Sequence, residues 1–229
     1  MMHQLKKRLS NFKKQLFDGY ARKSYSQEGE DRILQRIFEH KKTGFYVDVG
    51  AHHPLRFSNT HIFYARGWRG INIDAMPGSM CLFHKYRPRD INIECGVGEV
   101  ETLLQYYMFN EPALNGFSKS LAQERHNATS NYHIVKTVPV QVKRLECILE
   151  ERLGPSQEID FLTVDVEGLD LEVLRSNNWN RYRPSYVLVE VLGSTLSKIE
   201  HEPISRFLVD QEYEVFAKCS QTVFFRRHR

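Results

Sequence analysis

Acidic residues and glycine recur at the ends of short apolar segments in this sequence. Asp48 and Gly50 close the first such segment, and Asp74 closes the second. An acid at the end of the second strand can accept hydrogen bonds from both hydroxyls of a ribose. Asp165 and Glu190 end two later segments, and carboxylates there can remove a proton or bind a divalent cation. The pattern predicts a site for a nucleoside ligand beside an acid–base or metal centre.

The turn after the first segment is not a diphosphate-binding turn. Gly50 is followed by Ala51, His52, His53 and Pro54, so the GxGxxG pattern is absent. An acid facing the ligand would also repel phosphates. These features favour a ligand with ribose hydroxyls, a positive charge and no phosphate. S-adenosylmethionine, a nucleoside with a sulfonium and an amino-acid end, is such a ligand.

The spacing of apolar segments predicts the sheet that must bring these residues together. Strands alternate with helical patterns in the first half of the chain, which is typical of a parallel, doubly wound α/β sheet. Ligands bind outside the carboxyl ends of the strands in such a sheet. A final hairpin is expected at the far edge. The predicted strands are 45–50, 70–74, 91–95, 102–109, 138–142, 159–166, 186–191, 213–218 and 222–226.

A long polar segment interrupts this alternation. Residues 110–136 show no clear period, and a stretch of that length is typical of a lid or a binding loop. Glu111 and Asn115 lie near its start, and their carboxylate and amide groups suit a polyhydroxylated ligand. We therefore expect these two residues to border the acceptor substrate.

The N-terminal 23 residues differ in character from the rest. They contain seven Lys and Arg residues and one acid, and their apolar residues are spaced by three or four. This spacing predicts a basic amphipathic helix over residues 1–23 that packs on the domain or on a second copy in a homodimer. The alternative is weak contact with a membrane surface. Residues 24–229 are expected to form a single domain.

Charge and cysteine usage exclude several classes of protein. The chain of 229 residues has a net charge of +4 that comes from its two ends, so the mildly acidic body argues against a nucleic-acid partner. No apolar run is long enough for a transmembrane segment. The four cysteines form no CxxC pair, which favours a reducing compartment, and we expect a cytoplasmic protein.

Four motifs together resemble the FkbM family of S-adenosylmethionine-dependent methyltransferases. They lie at 26–31 (SQEGED), 46–51 (YVDVGA), 71–74 (INID) and 159–168 (IDFLTVDVEG). The resemblance extends from about residue 24 to residue 226. It implies a class I methyltransferase (Rossmann-like) sheet of seven mostly parallel strands, with helices on both faces and a reversed last hairpin. Pro54 stands where many members have glycine.

The resemblance also implies which residues hold the cofactor. Asp74 would bind the ribose hydroxyls, and Gly96 and Val97 would lie against the adenine. The full implied cofactor-binding set is Gln27, Asp48, Gly50, Asp74, Gly96 and Val97.

The implied reaction is methyl transfer to a hydroxyl oxygen of a sugar or glycan precursor. Such a hydroxyl is a weak acid, so a general base is expected, with Asp165, Glu190 and His53 as candidates. Asp165 and Glu190 could instead hold a divalent metal that binds the acceptor, although metal-free catalysis is favoured. The alternatives are methylation of a nucleic acid or of another small hydroxylated metabolite, and a non-catalytic nucleotide-binding module.

Overall fold

A computed structural model describes residues 4, 6, 11–12, 19–128 and 130–228 of the chain. The predicted amphipathic helix over residues 1–23 lies largely outside the described residues, so its contacts stay predictions. In the part of the chain that the structure describes, no helix combines the length and the apolar character needed to cross a bilayer.

The described residues form ten strands and seven α-helices. The strands are β1 (Phe45–Val49), β2 (Arg69–Asp74), β3 (Ile91–Glu94), β4 (Gly96–Val97), β5 (Thr102–Phe109), β6 (Ile134–Lys143), β7 (Phe161–Val164), β8 (Tyr186–Glu190), β9 (Tyr213–Lys218) and β10 (Thr222–Arg227). The helices are α1 (Glu30–Ile37), α2 (His61–Tyr64), α3 (Met80–Tyr86), α4 (Lys119–Ala128), α5 (Leu145–Arg152), α6 (Asp170–Arg175) and α7 (Pro203–Asp210). Short 3-10 helices cover Pro112–Leu114 and Ile199–His201.

Seven of these strands form the main sheet, in the order β3-β2-β1-β7-β8-β10-β9. β1 pairs in parallel with β2 on one side and with β7 on the other, so the strand order reverses at this point. β10 runs antiparallel to both β8 and β9. The predicted fold class, a mostly parallel class I methyltransferase sheet with a reversed last hairpin, is confirmed.

Both faces of the sheet are covered by helices, because its central strands are apolar on both sides. Val47 and Val49 of β1 join a core with residues of α5, α6 and α7. Tyr46 of β1 and Phe161 of β7 lie in a second core with residues of α1 and α2. A strand that is buried on both faces appears in the sequence as a continuous apolar run. The central strands could therefore be predicted from the sequence.

A second, three-stranded sheet has the order β4-β6-β5 and extends from the end of β3. β5 is antiparallel to β6, and the chain between them contains α4 and the 3-10 helix at Pro112–Leu114. The prediction of an irregular segment over 110–136 was therefore wrong for part of this region. The backbone groups of these polar residues form hydrogen bonds with β5 or within helical turns. The local sequence pattern does not reveal this pairing. We refer to residues 110–128 as the insert.

Candidate functional site

A cavity of about 780 Å³ lies at the carboxyl ends of β1, β2 and β7, with one wall formed by the insert. This is the switch point of the sheet, where ligands of open α/β folds bind. We call it the first cavity. Five of the six residues predicted to hold the cofactor line it: Gln27, Gly50, Asp74, Gly96 and Val97.

Gly50 lies where the ends of β1, β2 and β7 meet, and the space there does not admit a side chain. Its φ is +84°, and a Cβ atom there would lie 1.7 Å from the carbonyl oxygen of Asp165. The Gly50 amide donates to the carbonyl of Ile73 at 2.9 Å. Glycine is therefore required here, because the ends of β1 and β7 approach each other closely beside the cavity.

Asp74 ends β2 in the wall of the first cavity. Its Oδ2 accepts a hydrogen bond from the His52 amide and its Oδ1 one from the Met76 amide, both at 2.8 Å. Burial raises the pKa of this carboxyl. The two amides fix the orientation of the side chain, and each oxygen keeps a lone pair for another donor. This geometry can accept two adjacent hydroxyls.

The part of the first cavity next to β4 is apolar. Gly96 and Val97 lie beside Phe117 of the insert, and a Cβ on Gly96 would be 2.6 Å from that ring. Tyr106 packs on Phe117 with ring centroids 4.8 Å apart. The Phe117 ring thus packs directly on Gly96, and the apolar slot that these residues border suits a flat heterocycle.

Asp48 is the one predicted cofactor residue that lies outside the wall of this cavity, as far as the described residues show. Side chains alternate along a strand, so Asp48 points to the same face as Tyr46. Its Oδ2 accepts from the Thr60 hydroxyl at 2.8 Å. Burial raises its pKa to about 6, against the lowering effect of Arg87. The sequence did not reveal this orientation.

Arg87 sits at the centre of a buried polar network below the first cavity. Its side chain is fully buried and forms an ion pair with Asp90, with Nε 2.9 Å from Oδ2. It also donates to the Thr60 hydroxyl at 2.9 Å and to the Tyr46 hydroxyl at 2.7 Å. The network holds Asp48 in place through Thr60.

The two adjacent histidines have different environments. His52 lines the first cavity with a φ of +54°, and burial lowers its pKa to about 4. Its buried Nε2 has no hydrogen-bond partner among the described residues. His53, the predicted base, accepts at Nδ1 from the amides of Leu55 and Arg56, each at 3.0 Å. His53 was predicted because histidine has a pKa in the useful range, but of the two histidines only His52 is among the described residues that line the cavity.

Three carboxylates meet at the ends of β7 and β8. Oxygen atoms of Asp165, Glu167 and Glu190 all lie within 4.8 Å of one another. Asp165 and Glu190 were predicted, whereas Glu167 was missed, although it stands in the DVEG motif. A set of three carboxylate oxygens fits a hard cation such as Mg²⁺. We call these residues the carboxylate cluster.

Crowding of negative charge changes the acidity of this region. Asp165 is exposed at the cavity wall, but the protein atoms around its carboxyl and the charge of Glu190 raise its pKa well above its usual range. Burial, followed by the charges of Glu167 and Asp170, raises the pKa of Glu190 to about 8. Burial raises the pKa of Glu167, while its ion pair with Arg125 of α4 opposes the shift. Burial and the mutual repulsion of the carboxylates therefore favour protonation within the cluster.

The two residues predicted to border the acceptor lie in the insert. Asn115 lines the first cavity, and its Oδ1 accepts from the Phe109 amide at 2.7 Å. Glu111 accepts from Arg56 and from the Ala113 amide, and it is not among the described residues of the cavity wall. Both side chains brace the insert.

A second cavity of about 380 Å³ adjoins the first. Gln27, Phe57 and Asp165 line both, so they mark the boundary between the two. The other residues of the second cavity are mostly polar: Glu28, Glu30, Asn59, Thr163, Val164, Glu190, Gln221 and Thr222.

Comparison with known proteins identifies a family and shows a structural likeness. Residues 48–215 match the model of the Methyltransferase FkbM domain. No curated protein sequence matches the chain with significance. Among solved structures, the chain is similar to the MycE methyltransferase of the mycinamycin biosynthetic pathway, solved with Mg and SAH, at 12% identity and a TM-score of 0.40. The match covers 91% of this chain, which spans only half of that one.

Proposed function

The chain belongs to the FkbM methyltransferase family, and from this premise we propose that it transfers a methyl group from S-adenosylmethionine to a hydroxyl oxygen of a sugar or glycan precursor. The observation that carries the proposal is the charge of the first cavity. Its described lining contains Asp74, Asp165 and Glu167 but no Lys or Arg. Such a wall favours a sulfonium and disfavours a diphosphate.

The residues of the first cavity fit the three parts of this cofactor. Asp74 is placed to accept the two ribose hydroxyls. The slot beside Gly96, Val97 and Phe117 would hold the adenine. The sulfonium end would then point towards Gln27 and the carboxylates. Asp48 is assigned no contact here, because its carboxylate is held by Thr60.

The chain's own contribution to the reaction is alignment and proton removal. The bound cofactor supplies a methyl group that is already activated by the positive sulfur. Asp165 lies where the two cavities meet, so an acceptor hydroxyl beside it would face the first cavity. Carboxylate oxygens of Asp165 and Glu190 lie within 4.8 Å of each other, and the ionised member of the pair can take the hydroxyl proton. His53 is less suited because two amides already occupy its Nδ1.

A metal-assisted version uses the same residues. The carboxylate cluster would hold a divalent cation, and the cation would increase the acidity of the acceptor hydroxyl. In that case Asp165 and Glu190 act as ligands. We favour the metal-free version, and the two versions differ in their response to the removal of divalent cations.

Isothermal titration calorimetry with S-adenosylhomocysteine and with NAD⁺ tests the cofactor assignment. We expect the former to bind and the latter not to bind. A preference for NAD⁺ would overturn the proposal. Release of S-adenosylhomocysteine in the presence of sugar acceptors then tests methyl transfer.

A further inference from the structure

The second cavity lies between the segment 27–30, the end of β8 and the turn that begins β10. It reaches Asp165, the residue that also faces the first cavity. A group bound there would therefore lie next to the sulfonium end of the cofactor.

Hydrogen bonds hold two acids in place at the rim of the second cavity. Glu28 accepts from the Gln221 amide at 2.9 Å. Glu30 is almost fully buried and accepts from the Thr222 hydroxyl at 3.1 Å and from the Glu28 amide at 2.8 Å. These contacts tie the segment before α1 to the last hairpin. These hydrogen bonds therefore fix the positions of both acids in the wall of the second cavity.

Two groups in this wall remain available to a ligand. The buried Oε2 of Glu190 has no hydrogen-bond partner within the described residues. Asn59 donates from Nδ2 to the hydroxyl of Thr163 at 3.0 Å, which leaves its Oδ1 as an acceptor. Oδ1 of Asn59 is an acceptor, and Oε2 of Glu190 accepts when its carboxyl is ionised, so both suit a ligand that donates through hydroxyl or ammonium groups.

The charged residues in the described lining of the second cavity are all acidic. Glu28, Glu30, Asp165 and Glu190 line it, and none of its described lining residues is Lys, Arg or His. A phosphate or carboxylate on the ring bound there would face these acids without a compensating cation. An ammonium group would be attracted.

We propose that the second cavity is the acceptor site and that it selects a polyhydroxylated ring bearing an amino group over a neutral ring, and a neutral ring over an acidic one. The inference rests on the proposed function and deepens it. It moves the acceptor away from Glu111 and Asn115, which brace the insert instead.

Methyl transfer to three matched probes tests the proposal with the full chain. The probes are methyl glucosaminide, methyl glucoside and methyl glucuronide, which differ at one substituent. We expect kcat/KM to fall in that order, with at least a tenfold difference between the first and the last. In Glu28→Gln this ratio should shrink at least threefold. The control variant Glu39→Gln, an exposed acid beyond the end of α1, should keep the wild-type ratio.

The outcomes distinguish failure of the acceptor-site proposal from failure of the proposed function. If the wild type shows no selectivity for charge, or if it prefers the glucuronide, the assignment of the acceptor site is overturned. The absence of transfer to all three probes when S-adenosylhomocysteine binds normally also overturns it. Failure to bind S-adenosylhomocysteine overturns the proposed function itself.

Discussion

Arg56 donates from Nη1 to Oε1 of Glu111 at 3.0 Å and thereby joins the loop after β1 to the insert. Each partner is flanked by residues of the first cavity, namely Phe57 on one side and Pro112 on the other. The ion pair therefore connects two walls of the proposed cofactor site. Both side chains are partly exposed, so the pair is worth about 0.2–1 kcal/mol.

Arg56→Gln should loosen this connection. We expect S-adenosylhomocysteine to dissociate up to about fivefold faster, measured by stopped-flow fluorescence, with little change in the melting temperature. The matched control is Arg226→Gln, which removes a similarly exposed ion pair with Glu214 at the far edge of the sheet. An equal effect of the two variants would contradict the role of Arg56.

Arg125→Gln should release α4 from the carboxylate cluster. Arg125 forms an ion pair with Glu167 and donates to the carbonyl of Leu114 at 3.2 Å. Hydrogen bonds of a charged, mostly buried group are worth about 1.5–3 kcal/mol. We therefore expect hydrogen exchange of the α4 amides to rise about tenfold or more. Lys119→Gln, at an exposed position of the same helix, is the control and should leave the exchange rates unchanged.

Asp74→Ala should weaken S-adenosylhomocysteine binding by at least about thirtyfold in calorimetry, because hydrogen bonds to a charged acceptor are lost. Asp74→Asn keeps one acceptor oxygen and should lose less. Glu94→Gln is the control, since Glu94 ends the neighbouring strand and accepts from the Gly78 amide outside the cavity wall. Unchanged affinity in Asp74→Ala would remove the ribose assignment.

Asp48→Asn should change the pH dependence of stability. Burial raises the pKa of Asp48 from 3.8 to about 6 in the folded chain, so the folded state holds a proton that the unfolded state has lost. The contribution of Asp48 to the free energy of unfolding is therefore most favourable below pH 4 and decreases as pH rises to 6. At pH 7 the variant should be up to about 3 kcal/mol more stable.

Urea denaturation of the wild type and of Asp48→Asn between pH 4 and pH 8 measures this difference. A constant difference across the range would show that the pKa of Asp48 is not raised. The same variant should bind S-adenosylhomocysteine as the wild type does, because Asp48 lies outside the described cavity wall. A tenfold loss of affinity with an intact fold would place Asp48 at the cofactor after all.

Removal of divalent cations distinguishes the two versions of the mechanism. If a carboxylate removes the proton unaided, methyl transfer after dialysis against EDTA should stay within about twofold of the untreated rate. A loss that Mg²⁺ restores would assign Asp165, Glu167 and Glu190 to a metal site. Glu167→Gln should then weaken Mn²⁺ binding, measured by electron paramagnetic resonance.

The sequence by itself determined the main sheet and the ends of its strands. Parallel strands that are buried on both faces appear as short apolar runs, and the acid or glycine that follows each run is visible without a structure. Gly50, Asp74 and Gly96 were identified in this way, and all three line the first cavity. The same motifs gave the family, which the match over residues 48–215 confirmed.

Only the tertiary structure decided which way the side chains near those strand ends point. Asp48 lies two residues before Gly50 and faces the Arg87 network. A left-handed backbone at His52 and Glu167 directs neighbouring side chains differently from a regular strand. The helix α4 was missed because few of its residues are apolar, and its position depends on distant partners such as Glu167. Orientation at turns and contacts across long sequence separations depend on the packed chain as a whole, so the local pattern does not contain them.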